Sequence, residues 1–313
     1  MNAVRRRLVA QIEATVGRHD ERALYAGEAG DLGLVGGPGS MSWEIHADLA
    51  SLFVAGTAAI LMELAHPSVM AGVFEQSSYR TQPERRARNT LGYILRTTFG
   101  TTHAATRVIE SVRAIHERIR GTRPDGVAYH AGDPALLAWV HTCIPWAVMT
   151  AYDRYTRPLS LAEKDRYLRE QAVIGRMSGA TYVPESVAEL EAYVERMRPQ
   201  LAITAQTRAF VEFVRGQGDD LVVSRGEKLQ RWLSLHASMS LMPPWAQQLF
   251  GTAQPTLVER FVLRPSDRLG IRLVRYAIPE LPCVRIARAR AIEAPIEADA
   301  EPEIPEPHLR VVR

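Results

Sequence analysis

Apolar residues recur at helical spacing through most of the chain. Val4, Leu8, Ile12 and Val16 fall one turn apart near its start, the mark of an amphipathic helix. The longest uncharged run, Leu49 to Met62, lies between Asp48 and Glu63. It is too short to span a bilayer and reads as a buried helix, continuing through Glu63, His66 and Pro67 to Val69. From Pro83 to Phe99, Ala87, Leu91, Ile94 and Leu95 share a face, while Arg86, Thr90, Tyr93 and Thr97 run down one edge. From Thr102 to Arg120, Val108, Ile109, Val112, Ile115 and Ile119 form one arc, with Gly121 as the stop. The segment Pro134 to Tyr152 is apolar nearly all round and predicts a helix buried on every side. Pro145 interrupts it, withdraws the hydrogen bond owed to the His141 carbonyl, and predicts a kink there.

Helix starts are well marked. Thr81 with Glu84, Ser160 with Glu163 and Ser186 with Glu189 have capping-box spacing, and Asp133 before Pro134 is an N-cap followed by proline in the first turn. Strand signals are sparse. Leu221 to Val223 and Ile271 to Tyr276 could form a brief hairpin, but no alternating series is long enough for a sheet. The expected class is therefore all-α, one large helical domain with room for a small β-hairpin. Gly33 to Ser40 separates an N-terminal helical arm and loop (1–40) from a body (41–276), and a Pro- and Glu-rich tail (277–313) follows. No internal repeat is present.

Composition narrows the function classes. The 313 residues carry a net charge of +3, enough chain to bury on the order of 75% of the unfolded surface in one core. The basic residues are interspersed with acids, which argues against a nucleic-acid partner. Lys164 and Lys228 are the only lysines, and Lys164 lies between Glu163 and Asp165, which disfavours Schiff-base chemistry. Cys143 and Cys283 form no CxxC pair, so neither a thiolate metal site nor covalent c-type haem is expected. Arg5, Arg6 and Arg7 are followed by no apolar core or cleavage site. The expectation is a soluble, cytoplasmic protein in a reducing compartment, with peripheral membrane contact left open. Zincin, P-loop, dinucleotide-binding and nucleophile-elbow motifs do not occur.

Four segments could carry chemistry. His116 falls inside the apolar arc of its helix, with Arg113 and Arg120 on the polar flank. A neutral imidazole on an apolar wall suits haem iron, and guanidiniums suit propionates; a core histidine satisfied by a backbone carbonyl fits the same spacing. The stripe of Arg86 and Thr90 could donate to oxygen or a haem carboxylate, or could be a solvated helix edge. His141, beside the Pro145 kink, is a second candidate ligand. Glu63 with His66 spells Glu-x-x-His, one half of a carboxylate-bridged di-iron site, but such a site needs the motif twice and Arg113 occupies the matching place before His116.

In order along the chain stand Leu61-Met-Glu-Leu-Ala-His66-Pro67, then Arg86-x-x-Asn89-Thr90 with Phe99-Gly100, then Ile115-His116 with Gly121, then Tyr129-x-Ala131-x-Asp133-Pro134 with Trp139-Val140-His141. This ordered set, spanning roughly Trp43 to Pro244, resembles the family of the bacterial latex-clearing protein (rubber oxygenase) and the membrane-associated oxygenase of mycophenolic acid biosynthesis. The resemblance implies a globin-like helical fold enclosing haem b, His116 as the iron ligand, and Arg86 and Thr90 near the opposite side of the iron. His141 and His66 would stand behind them, and Arg113 and Arg120 near the propionates. The chain departs from rubber oxygenases at Asn89, where they carry a lysine before the threonine. No residue here aligns with their glutamate base, Glu75 being merely nearby. The expected function is a haem b-dependent oxidoreductase using O₂ or peroxide on an apolar, unsaturated or prenylated small molecule. A haem carrier or gas sensor, and a haem-free helical interaction protein, are the alternatives.

Overall fold

A computed structural model of the chain describes residues 3–17, 19–215, 235–251 and 264–292. Helices α1 (Ala3–Val16) and α2 (Arg22–Tyr25) lead through a glycine-rich segment to α3 (Met41–His46), α4 (Leu49–Leu64), α5 (Pro67–Gln76), α6 (Pro83–Phe99) and α7 (Thr102–His116). Strands β1 (Arg120–Thr122) and β2 (Ala128–His130) form an antiparallel hairpin with Gly121 opposite Tyr129. Then come α8 (Pro134–Tyr155), α9 (Leu161–Met177), α10 (Val187–Met197) and α11 (Ala205–Arg215). After a helical stretch at 235–241 follow α12 (Pro244–Leu249), α13 (Arg264–Ala277) and α14 (Pro282–Ala291). The class is all-α with a small hairpin, as the periodicity predicts.

The centre is α8 packed antiparallel on α4. Trp139, fully buried, donates its indole N–H to the Glu63 carbonyl at the end of α4 (3.3 Å), while Thr156, just past α8, donates to Asp48 at the start of α4 (2.6 Å). Length and composition would let α8 cross a membrane, but 61% of its most apolar window is buried within the fold. One core cluster gathers α3, the first half of α4, α6, α9 and the end of α8; a second gathers the end of α4, α5, α10, α11 and the start of α8. Trp146 packs against both.

The caps at Asp133, Ser160 and Ser186 form as expected. Asp133 accepts from Ala135 N–H (2.8 Å), Ser160 and Glu163 complete a reciprocal capping box, and Ser186 accepts from Glu189 N–H. Thr81 does not cap α6. Its hydroxyl turns back to the Ser78 carbonyl, and α6 starts at Pro83, whose missing N–H needs no cap.

Three expected boundaries move. The helix expected through Val69 breaks after Leu64, and α5 leaves α4 at 109°. Pro67 occupies the first turn of α5, and His66 Nδ1 caps it by accepting from Ser68 N–H (3.3 Å). Helix α7 stops at His116 instead of Arg120, because the chain tightens through Arg118 and Ile119 into the hairpin. Ile115 consequently faces solvent, 55% exposed, although Ile109 remains buried. The hairpin itself closes on the turn Pro124-Asp125-Gly126, with Gly126 at φ +85°. Of the two places where a hairpin was expected, Ile271 to Tyr276 is helical within α13 and Leu221 to Val223 lies outside the described residues, as does the tail beyond Ile292.

Both segments flanking residues 41–276 reach the core: Tyr25 and Val35 from one side, Cys283, Val284 and Ala287 of α14 from the other. Arg290 of α14, 5% exposed, joins them. Its guanidinium donates to the carbonyls of Asp31 and Tyr25 (both 2.6 Å) and of Phe99 and Gly100 (both 3.2 Å). Gly33, at φ +71°, lies against the Gly100 carbonyl where a Cβ would come within 2.8 Å of it. Replacing Arg290 leaves four carbonyls without their donor. Arg290→Met is expected to lower the unfolding free energy by about 3 kcal/mol, read as an earlier midpoint in urea denaturation.

Candidate functional site

Helices α6 and α7 form an antiparallel pair joined at Gly100 and Thr101, where the Thr101 hydroxyl caps α7 by accepting from Ala104 N–H (3.0 Å). The end of α9 meets both helices. Tyr93 of α6 hydrogen-bonds Ser178 (3.0 Å), and Arg113 of α7 donates to the Met177 carbonyl (3.4 Å). Gly179, at φ +97°, packs between Leu137 of α8 and Arg113. From this junction two stripes run outward one turn at a time: Tyr93, Thr90 with Asn89, and Arg86 on α6; Ile109, Arg113 and His116 on α7. Arg86, Asn89 and Thr90 thus lie one to two turns beyond Tyr93 along α6, while Arg113 is at the junction itself and His116 one turn beyond it on α7.

Their environments differ. Asn89 and Thr90 are exposed, so the stripe expected along this edge of α6 is solvated at its middle, half-buried at Arg86 and Tyr93 and buried at Thr97. His116 is half-buried at the last position of α7, and its imidazole makes no side-chain hydrogen bond among the described residues. Burial lowers its pKa, opposed by Glu117, so the ring is neutral at neutral pH. Arg120 lies beyond, on β1, donating to the Glu117 carbonyl (3.0 Å). His130 of β2 contacts the same carbonyl (3.1 Å).

Arg86 reaches inward. It donates to the Ser77 hydroxyl, and burial pulls its guanidinium below the usual arginine range against the opposing fields of Glu63 and Tyr79. Glu63 is buried at the end of α4. Desolvation raises its carboxyl to about 8, with Arg86 opposing, so it holds a proton at neutral pH. Sequence reasoning weighed Glu63 only as half of a di-iron pair. The better signal was a lone acid in the last turn of an otherwise uncharged, largely buried helix.

His66 and His141 are placed apart from the α6 and α7 stripes. His66 is committed to capping α5, with burial and then Arg123 lowering its pKa. His141 stands between α8 and α9 against Gly175, where a Cβ would lie 2.7 Å from its Nε2. Burial lowers its pKa to about 4, and Nε2 is buried without a hydrogen-bond partner. It lines a cavity of about 10 Å³ with Thr142, Gln171 and Leu190, the space of a single water. A porphyrin does not fit there.

Comparison with known proteins bears on the site as a whole. Residues 43–275 match the family described as ER-bound oxygenase mpaB/B'/Rubber oxygenase, catalytic domain. Two uncharacterised proteins, one from Mycobacterium bovis and one from Mycobacterium tuberculosis, are each 29% identical over 164 residues, covering 50% of this chain and 63% of their own length. The chain thus spans less than two thirds of the curated relatives it matches. No solved structure matches it.

The Glu63 carboxyl binds its proton more tightly folded than unfolded, so between its ordinary value and about 8 the native state holds more protons and stability falls as pH rises. Glu63→Gln removes this loss. The variant is expected to unfold at nearly the wild-type temperature near pH 4.5, and to gain on the order of 3 kcal/mol over wild type by pH 8.5, checked by thermal unfolding across that range.

Proposed function

Since the chain belongs to the ER-bound oxygenase mpaB/B'/rubber oxygenase catalytic-domain family, we propose that it is a haem b-dependent oxidoreductase acting on an apolar, unsaturated or prenylated small molecule with O₂ or peroxide. What supports this reading is His116, a neutral imidazole at the end of α7 that makes no side-chain hydrogen bond among the described residues, with the guanidinium of Arg113 one turn before it. Among the described residues no three His, Cys, Asp or Glu side chains converge as a metal site. An iron held by one imidazole must then bring its other ligands with it, as a porphyrin does.

His116 would hold the iron of the haem, and Arg113, one turn before it on α7, with Arg120, beyond it on β1, would meet its carboxylates as charge-assisted donors. When bound, haem supplies the redox chemistry toward O₂ or peroxide. The protein's own groups do the rest. Arg86 supplies a fixed cation, and Glu63 beside it holds a proton on its carboxyl. Asn89 and Thr90 offer an amide and a hydroxyl at the exposed turn between Arg86 and Tyr93. Asn89 cannot take up or release a proton as an amine does, so proton transfer here falls to other groups, Glu63 among them.

Expression with added haem is expected to give a protein with a Soret band, which His116→Ala abolishes or shifts while leaving the helical circular dichroism intact. A band unchanged by His116→Ala would remove that assignment, and a chain that takes up no haem would remove the haem reading.

A further inference from the structure

Helix α13 has two sides of unlike composition. Asp267, Ile271 and Ala277 are buried and Val274 half-buried, on the side packed toward α4 and α1. On the outward arc at 100° per residue stand Leu269, Leu273 and Tyr276, which are 60%, 44% and 50% exposed. Three large apolar side chains at helical spacing are thus aligned on the outermost face of one helix, unlike single apolar residues scattered over a surface. Arg268 and Arg272, both exposed, flank the stripe. The helix's single acid, Asp267, is turned inward. Helix α1 lies alongside and brings Arg6 and Arg7, also exposed. Arg5 ties the two helices together, donating to the Ala277 carbonyl (3.2 Å) and lying over the Tyr276 ring.

We propose that this face, α13 with the adjoining part of α1, docks on a membrane surface carrying anionic headgroups. Leu269, Leu273 and Tyr276 would enter the boundary between headgroups and acyl chains, and the arginines beside them would meet lipid phosphates. A strongly amphipathic helix with leucines on one face and arginines at its margin is the form that lies in the plane of such an interface. The charge pattern selects the occupant. All exposed charges on α13 are positive, the complement of an anionic surface. Three apolar side chains fall well short of the roughly 20–30 residues a side that a stable protein interface uses, but they are enough for shallow insertion.

The test is co-sedimentation of the full chain with vesicles of phosphatidylcholine alone and of phosphatidylcholine with phosphatidylglycerol. The expected result is binding to the anionic vesicles that weakens with added salt. Both Leu269→Asp with Leu273→Asp and Arg268→Glu with Arg272→Glu are expected to lower the partition coefficient about tenfold or more, with unfolding midpoints near wild type because all four positions face solvent. Failure to bind anionic vesicles, equal binding to neutral ones, or unaltered binding by both double variants would overturn the proposal. So would a concentration-dependent dimer that the leucine substitutions abolish, which would assign the face to a second copy of the chain.

Discussion

The antiparallel contact of α4 and α8 is the constraint on which the rest of the molecule depends. Both helices are apolar nearly all round, so neither can lie at the surface, and each needs neighbours on every side. Their pairing fixes where the chain must turn. Pro67 cannot serve the Glu63 carbonyl, so α4 ends there, and that carbonyl accepts instead from the buried Trp139 indole of α8. At the other end, Asp48 holds Ser51, Thr156 and Arg275, so the start of α4, the end of α8 and α13 are tied at one carboxylate whose pKa those bonds depress against burial. Remaining helices pack around this pair, and α6 with α7 closes one flank.

The same contact explains the acid at the site. Glu63 is in the last turn of α4, a largely buried helix, and its buried carboxyl feels the field of Arg86 on α6. A carboxyl in that position stays protonated, since the field of Arg86 offsets only part of the desolvation. A mature ion pair would lie closer; here the cation is held by Ser77, and no salt bridge joins Arg86 to Glu63 among the described residues.

How far the fold was legible depends on the kind of signal. Asp133, Ser160 and Ser186 act locally, each through a hydrogen bond to a backbone group two or three residues on, and such signals read correctly. The apolar run of α8 read correctly too, because no other place in a chain of this size suits it. Thr81 misled because α6 starts at Pro83, which puts Gln82 and not Thr81 at the N-cap position. Ile115 misled because periodicity assumes that the helix continues, whereas Pro124-Asp125-Gly126 forces a hairpin whose entry consumes Glu117 to Ile119. Ile271 to Tyr276 looked strand-like only in isolation; with Asp267 and Ala277 included, its buried positions recur at helical spacing. The grouping of α6 and α7 at the end of α9, through Ser178 and Met177, has no local signal.

That grouping sets a particular balance of charge. His116 sits in the last turn of α7, where the helix dipole and Glu117 both favour a protonated ring. Burial outweighs them, and the imidazole stays neutral with a lone pair to give. Glu63, deeper in, is likewise neutral because it keeps its proton. The one acid that interacts with Arg86, Glu63, is therefore uncharged at neutral pH and does not cancel it, and the neutral ring of His116 adds no charge beside Arg113. On the proposed haem reading, the carboxylates of the porphyrin would meet arginine charge that a bare metal ion would be repelled by.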